Sequence, residues 1–265
     1  MAGKENEYAI GVLDSGVGGL TVVRQILKQL PKETICYFGD TLRCPYGPRK
    51  KSEVIKFTLE IVGYLVRFNL KVLVIACNTA TAFALEEVTR RFAIPVLGVI
   101  EPGAKAAVLK TKNNTIGVIG TQGTILSGIY EKQINSLNPL VKVYSLACPN
   151  LAPLVERGLS HTKLAYKVVS NYLTYFDDLN IDTLILGCTH YPLLINNIKK
   201  VLPDVNIINS AFETVTKLKT LLEEKGMLAT YVKKHRFFTT GSSYLFENIA
   251  KSWLKKDIKV ERVRL

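Results

Sequence analysis

Short apolar runs rich in Val and Ile alternate along this chain with longer segments whose apolar positions recur every three or four residues. The first kind reads as buried parallel strands and the second as helices packed on one face. Strands are expected at residues 8–13, 35–39, 72–76, 94–100, 116–120, 141–146, 183–187 and 205–208, with two more at 236–240 and 260–263. Helices are expected at about 21–30 (stopped by Pro31), 51–68, 81–90, 161–179, 193–202, 212–225 and 244–254, with helical sequence from 122 to about 135. In the 51–68 segment, Val54, Phe57, Ile61, Leu65 and Phe68 share one face. Glu101-Pro102-Gly103 breaks the pattern, which then restarts. Strand–helix alternation of this kind builds α/β layers on mainly parallel sheets.

The restart repeats the beginning. Ile116-Gly117-Val118-Ile119-Gly120-Thr121 matches Ile10-Gly11-Val12-Leu13-Asp14-Ser15, and Thr183–His190 matches Val72–Thr79. The shift is 106 residues for the first pair (116 − 10) and 111 for the cysteines Cys77 and Cys188 (188 − 77). A nearly constant offset is what an internal duplication leaves. The tail after 208 matches no third repeat and is expected to return to the first half. Two pseudo-symmetric α/β domains follow, one from residues 1–98 and 208–265 carrying Cys77, the other from 99–207 carrying Cys188.

Each of these cysteines ends an apolar strand and precedes a helix. In open α/β sheets that crevice at the carboxyl ends of the strands is where ligands bind. Two thiols in matching positions of matching halves point to chemistry that uses a pair. The turn Asp14-Ser15-Gly16-Val17-Gly18-Gly19 lets backbone amides approach an anion, but its spacing is neither GxGxxG nor a P-loop. Residues 40–48 form a turn-rich loop.

Composition narrows the setting. The chain has 265 residues, 48% hydrophobic and 22% charged, enough for about two folded domains. No run is long and apolar enough for a transmembrane helix, and residues 1–7 show no apolar signal core. A cytoplasmic protein is therefore expected, with little room before the first strand for a regulatory arm. The five cysteines, Cys36, Cys44, Cys77, Cys148 and Cys188, form no CxxC pair and read as free thiols. Cys36 and Cys148 fit small buried hydrophobes. The net charge of +13 favours anionic ligands. Its small scattered groups lack any nucleic-acid-binding motif and read as solvated faces. No metal-ligand cluster and no lysine in a pyridoxal-type motif stands out.

Four motifs together, Asp14–Leu20, Pro45-Tyr46-Gly47, Ala76-Cys77-Asn78-Thr79-Ala80 and Gly187-Cys188-Thr189-His190-Tyr191-Pro192-Leu193, closely resemble those of the glutamate racemases, within the wider aspartate/glutamate racemase superfamily. The resemblance covers nearly the whole chain in order. It implies two α/β domains with the active site in the interdomain cleft, no cofactor, and supply of D-glutamate for peptidoglycan, hence cell-wall biogenesis and cell shape. By resemblance the ligand-holding residues are Ser15, Tyr46, Gly47, Asn78, Thr79, Thr189 and His190. Thr121, the echo of Ser15, is added from the duplication. Two departures are Cys44, where the family commonly carries other residues, and Thr239-Thr240-Gly241-Ser242, which lacks an acidic residue after the glycine.

Racemisation removes the α-proton from one face of an amino acid and returns a proton to the other, so two groups on opposite sides are needed. Thiol and thiolate suit this, with pKa values adjustable from about 8.5. Cys77 and Cys188 are the expected pair. Asp14, His190 and Glu156 are candidate helpers that accept, relay or orient a proton. Asp14 also suits the substrate ammonium, or alternatively caps the following turn. Rival readings are an aspartate or other racemase of the same superfamily, a basic nucleic-acid-associated protein, and a thiol hydrolase that would leave one matched cysteine idle. A homodimer is expected, without membrane partners.

Overall fold

The computed structural model describes residues 7–265 and holds two parallel sheets. The reading of residues 1–7 as free of an export signal falls, for residues 1–6, outside the described residues. The strands are β1 (Ala9–Asp14), β2 (Ile35–Gly39), β3 (Leu70–Ile75), β4 (Val96–Gly98), β5 (Thr115–Gly120), β6 (Lys142–Ala147), β7 (Thr183–Gly187), β8 (Asn206–Asn209), β9 (Arg236–Thr239) and β10 (Val260–Arg262). One sheet runs β10-β9-β2-β1-β3-β4 and the other β6-β5-β7-β8. The order β2-β1-β3-β4 thus recurs as β6-β5-β7-β8. Register matches as well: Ile10 pairs with Val72, and Ile116 with Thr183.

Helices cover both faces of each sheet, which is why the strands carry unbroken apolar runs. In the first sheet Ile10, Val12, Val72 and Val74 pack against helices Leu20–Gln29, Ser210–Glu224 and Ser243–Leu254. Leu13, Phe38, Leu73 and Ile75 pack against helices Lys51–Leu65 and Asn78–Arg91. In the second sheet Ile119, Leu184 and Leu186 face helices Leu151–Glu156, Lys163–Leu173 and Ile195–Val201. Ile116, Val118 and Ile185 face helices Ile100–Lys110 and Ile129–Leu137.

The largest departure from the sequence reading is at Pro102. The segment read as strand 94–100 and a break is a three-residue strand, Val96–Gly98, followed by the helix Ile100–Lys110. Proline and glycine fall in its first turn, where a missing N–H costs nothing. The helical stretch before 135 divides at Gly128 into Gln122–Leu126 and Ile129–Leu137. The helix expected over 161–179 is the shorter Lys163–Leu173, capped by the Thr162 hydroxyl on the Ala165 N–H. Leu151–Glu156, missed in the sequence, is a short helix containing a proline.

The segment leading back into the first sheet is held by a buried ion pair. Lys71 Nζ lies 2.6 Å from Glu33 Oε2 with both side chains essentially inaccessible. The same ammonium donates to the Met227 carbonyl, and Glu33 Oε1 accepts from the Ala229 N–H.

Candidate active site

The carboxyl ends of β1, β3, β5 and β7 converge on one cavity. Its volume is about 70 Å³. Cys77 and Cys188 both line it, with Ser15, Tyr46, Gly47, Asn78, Thr79, Thr121, Glu156, Thr189 and His190. Cys77 follows β3 and caps the helix Asn78–Arg91, its sulfur accepting from the Ala80 N–H at 3.5 Å. Cys188 follows β7 and opens the tight turn into Tyr191–Leu194. Both cysteines are 6% exposed, so each sulfur is reached only from the cavity.

The Cys188 side carries a chain of polar contacts. Cys188 Sγ lies 3.6 Å from His190 Nδ1, and His190 Nε2 lies 3.0 Å from Glu156 Oε1. Burial works against a charge on His190, but contact with the Cys188 sulfur and the Glu156 carboxylate outweighs it and lifts the imidazole to about 10. Burial likewise disfavours charge on Glu156, and the bond from His190 overrides it and holds the carboxyl below its ordinary range. An imidazolium beside a sulfur favours the thiolate. The same carboxylate oxygen receives the Cys44 thiol at 3.8 Å, so a third sulfur borders the site. Burial, then the charge of Glu156, pushes the Cys44 thiol up.

The Cys77 side is different. Burial pushes this thiol up to about 12, the Asp14 carboxylate adds to the rise, and the Ala80 N–H opposes it. A charge on Cys188 raises it further, which places the two sulfurs within each other's field.

Asp14 stands behind the residues that line the cavity. Its carboxyl is fully buried behind the wall, where Oδ2 accepts from the Gly16 N–H at 3.0 Å and Oδ1 from the Thr189 hydroxyl at 3.4 Å. The turn that sequence reading offered to an anion is filled by the protein's own carboxylate. Burial raises its pKa, and the opposite charge of His190 counters that rise. Gly18 serves close approach: a Cβ there would sit 2.2 Å from Thr189 Oγ1 and 2.6 Å from the His190 ring.

Hydroxyls bridge the two halves above the thiols. Thr79 Oγ1 lies 2.9 Å from Thr121 Oγ1 and 3.2 Å from Thr124 Oγ1, and Thr121 and Thr124 are 3.0 Å apart. Thr121 therefore reaches the cavity as the duplication implies, while Thr124 went unremarked in the sequence. The Tyr46 hydroxyl donates to buried Asp40, which also receives Arg43 and Thr240. Tyr46 thus offers the cavity its ring and backbone. Cys36 and Cys148 lie away from the cavity in the cores, burial pushing each thiol up to about 12. Among the described residues no three His, Cys, Asp or Glu side chains group to hold a metal ion, and no helix is long and apolar enough to cross a membrane.

Comparison with known proteins agrees with this geometry. The model of the Asp/Glu/hydantoin racemase family matches residues 10–218. A curated glutamate racemase of Listeria monocytogenes is 51% identical over 98% of this chain and 99% of its own length. One from Enterococcus faecalis is 50% identical over 98% of this chain and 97% of its own. A solved glutamate racemase isoform of Bacillus anthracis superposes with a TM-score of 0.96 at 54% identity, covering 98% of both chains. One from Francisella tularensis, solved with D-glutamate, gives 0.91 at 38% identity over 98% of both.

Proposed function

The chain belongs to the Asp/Glu/hydantoin racemase family, and we propose that it interconverts L- and D-glutamate with Cys77 and Cys188 as the two proton-transfer groups. The observation that carries this reading is that two thiols from matching strand ends of two matching sheets line one cavity. An α-carbon between them presents one face to each sulfur.

The asymmetry of the two environments assigns their resting states. The His190 ring stands 3.6 Å from Cys188 Sγ, placed to receive or return a proton there. Buried against Asp14, Cys77 keeps its proton. An enantiomer whose α-hydrogen faces Cys188 loses it to that sulfur and takes the Cys77 proton on the opposite face. The bond pair left on carbon forms the new C–H bond, and the sulfurs end with their roles exchanged. Glu156 and His190 then let the Cys188 proton leave, and Asp14 orients the polar groups behind the wall. The α-proton is far less acidic than a thiol, so the excess negative charge must be stabilised as it develops. The helix N-terminus at Asn78 and the hydroxyls of Ser15, Thr79, Thr121 and Thr189 surround that position and fit the two carboxylates of glutamate.

The two sheets support a division of the chain into 1–98 with 208–265 and 99–207, with β8 ending two residues past the second boundary. We place the protein in the cytoplasm as a homodimer that supplies D-glutamate to peptidoglycan synthesis without a cofactor.

Incubation with L-glutamate in deuterated water, with no cofactor added, tests the reading. Loss of optical rotation with deuterium at the α-carbon is expected. A variant lacking one thiol, Cys77→Ser or Cys188→Ser, should exchange the α-hydrogen of one enantiomer only. Full-rate racemisation by either variant, or equal exchange from both enantiomers, overturns the paired-thiol assignment. Aspartate, one methylene shorter, is the substrate control: faster turnover of aspartate would move the assignment to that substrate.

A further inference from the structure

The geometry points to Tyr130 as a positioning residue that couples the two thiol-bearing loops and aims the Asn78 amide at the substrate. This inference rests on the paired-thiol reading. Tyr130 lies on the helix Ile129–Leu137 of the second half and is 2% exposed. It does not line the cavity, and its place on an apolar helix face gave no sign of a role.

Its two ends meet the two loops. The hydroxyl donates to Asn78 Oδ1 at 2.7 Å, and Asn78 directly follows Cys77. The ring packs against Gly187, which directly precedes Cys188: a Cβ on Gly187 would lie 3.1 Å from Tyr130 Cε2 and 2.8 Å from the Ile119 carbonyl. With its own proton on Asn78, the phenol oxygen accepts from Ser210 Oγ at 3.2 Å, and that serine oxygen lies 3.4 Å from the Leu186 carbonyl on the same strand. A hydrogen-bonded chain thus runs Ser210–Tyr130–Asn78, ending one residue after Cys77, and its serine end lies beside Leu186, two residues before Cys188. A hollow of about 10 Å³ beside it is bordered by Asn78, Cys188 and Ser210, so the chain passes directly behind the second sulfur.

The direction of the bonds matters. A phenol has one proton, and here it goes to the carbonyl oxygen of the Asn78 side chain. That fixes the amide's orientation. Asn78 itself lines the cavity, and with its carbonyl oxygen held by the phenol its Nδ2 group is the end left to meet a ligand. In this proposal its two N–H donors meet one of the carboxylates of glutamate. Without the phenol proton the amide is free to rotate, and a bound carboxylate would meet oxygen as often as nitrogen.

The test is a double-mutant cycle with initial rates from both enantiomers. Tyr130→Phe keeps the ring on Gly187 and removes only the hydroxyl. It is expected to lower kcat/KM about tenfold, chiefly by raising KM, as loss of one buried hydrogen bond to an aligning group does. On an Asn78→Ala background the same change should alter kcat/KM by less than about twofold, because its route is gone. If Tyr130→Phe does not accumulate folded, Ser210→Ala interrupts the same chain one link back, and the same non-additivity with Asn78→Ala is expected. A purely structural role would lower the melting temperature and give equal losses on both backgrounds, and that result overturns the inference. So does a Tyr130→Phe enzyme within about twofold of the parent. Neither result bears on the thiols, whose assignment fails separately if Cys77→Ser racemises at full rate.

Discussion

Replacing Glu156 by Gln removes a charge and keeps the shape, and the consequence is calculable from the site. His190 is held at about 10 through contacts with the Cys188 sulfur and the Glu156 carboxylate. A hydrogen bond from a charged group to a carboxylate contributes about 1.5–3 kcal/mol. The Glu156 side chain is 36% exposed, so solvent screening confines its share to the bottom of that range. That is about 1.5 kcal/mol, or about one pKa unit on His190. The alkaline limb of kcat/KM for the enantiomer that Cys188 must protonate should therefore move about one unit toward neutral pH in Glu156→Gln. The substrate's own titration is common to both enzymes and cancels in the comparison. The rates are read by the circular dichroism of glutamate across pH 6 to 11. Stability follows the same sign. A group raised in the folded state stabilises fully below its unfolded value of 6.5 and loses that contribution as pH rises through about 10. Glu156, lowered from 4.5, contributes above that value. The melting-temperature gap between parent and variant should therefore be widest between about pH 5 and 6.5 and fade by about pH 10. An alkaline limb that does not move, or a gap that widens with pH, refutes the coupling of Glu156 to His190.

Three further outcomes follow from the contacts described. Lys71→Met leaves Glu33 buried without its ammonium and should cost about 3–5 kcal/mol in urea denaturation; a loss under about 1 kcal/mol would show the pair to be idle. Thr121→Val removes one corner of the Thr79–Thr121–Thr124 triangle and should raise KM about threefold to tenfold, with kcat within about twofold; an unchanged KM removes Thr121 from the binding set. Alkylation of the native protein at pH 8, located by mass spectrometry, should reach Cys44, the one cysteine that is not buried, before Cys36 and Cys148, which are enclosed in the cores. Early modification of Cys36 would contradict the burial pattern.

The sheets were legible because buried parallel strands have a distinctive composition. Val72–Ile75 and Thr183–Leu186 leave little choice but a strand, and their echo at a nearly fixed offset anticipated the recurring strand order. The Ile100–Lys110 helix was hidden by Pro102 and Gly103, which read as a break unless one knows they fall in a first turn. Of the candidate residues on the cavity wall, those at the ends of β1, β3, β5 and β7 shared a sequence signal, an apolar run ending in hydrogen-bonding side chains, whereas Tyr46, Gly47 and Glu156 lie off the strand ends. Asp14 shared that signal yet faces inward, because composition does not say which way a carboxylate turns when N–H groups of its own turn are available. Tyr130, Thr124 and Asp40 had no signal of any kind. They act through a neighbour, and only the folded arrangement shows which one.

The return of β9 to the first sheet sets the order in which a nascent chain can be finished. β2 ends at Gly39 and its outer neighbour β9 begins at Arg236, 197 residues later (236 − 39). On the ribosome every strand of the smaller sheet is complete before β9 emerges. Through that interval β2 carries an unpaired backbone edge, flanked by Phe38 and Tyr37, of the kind that recruits other chains. A chain cut short before residue 236 would never close that edge. It would retain both sulfurs and accumulate as aggregate, so loss of yield on C-terminal trimming reports on synthesis and not on chemistry.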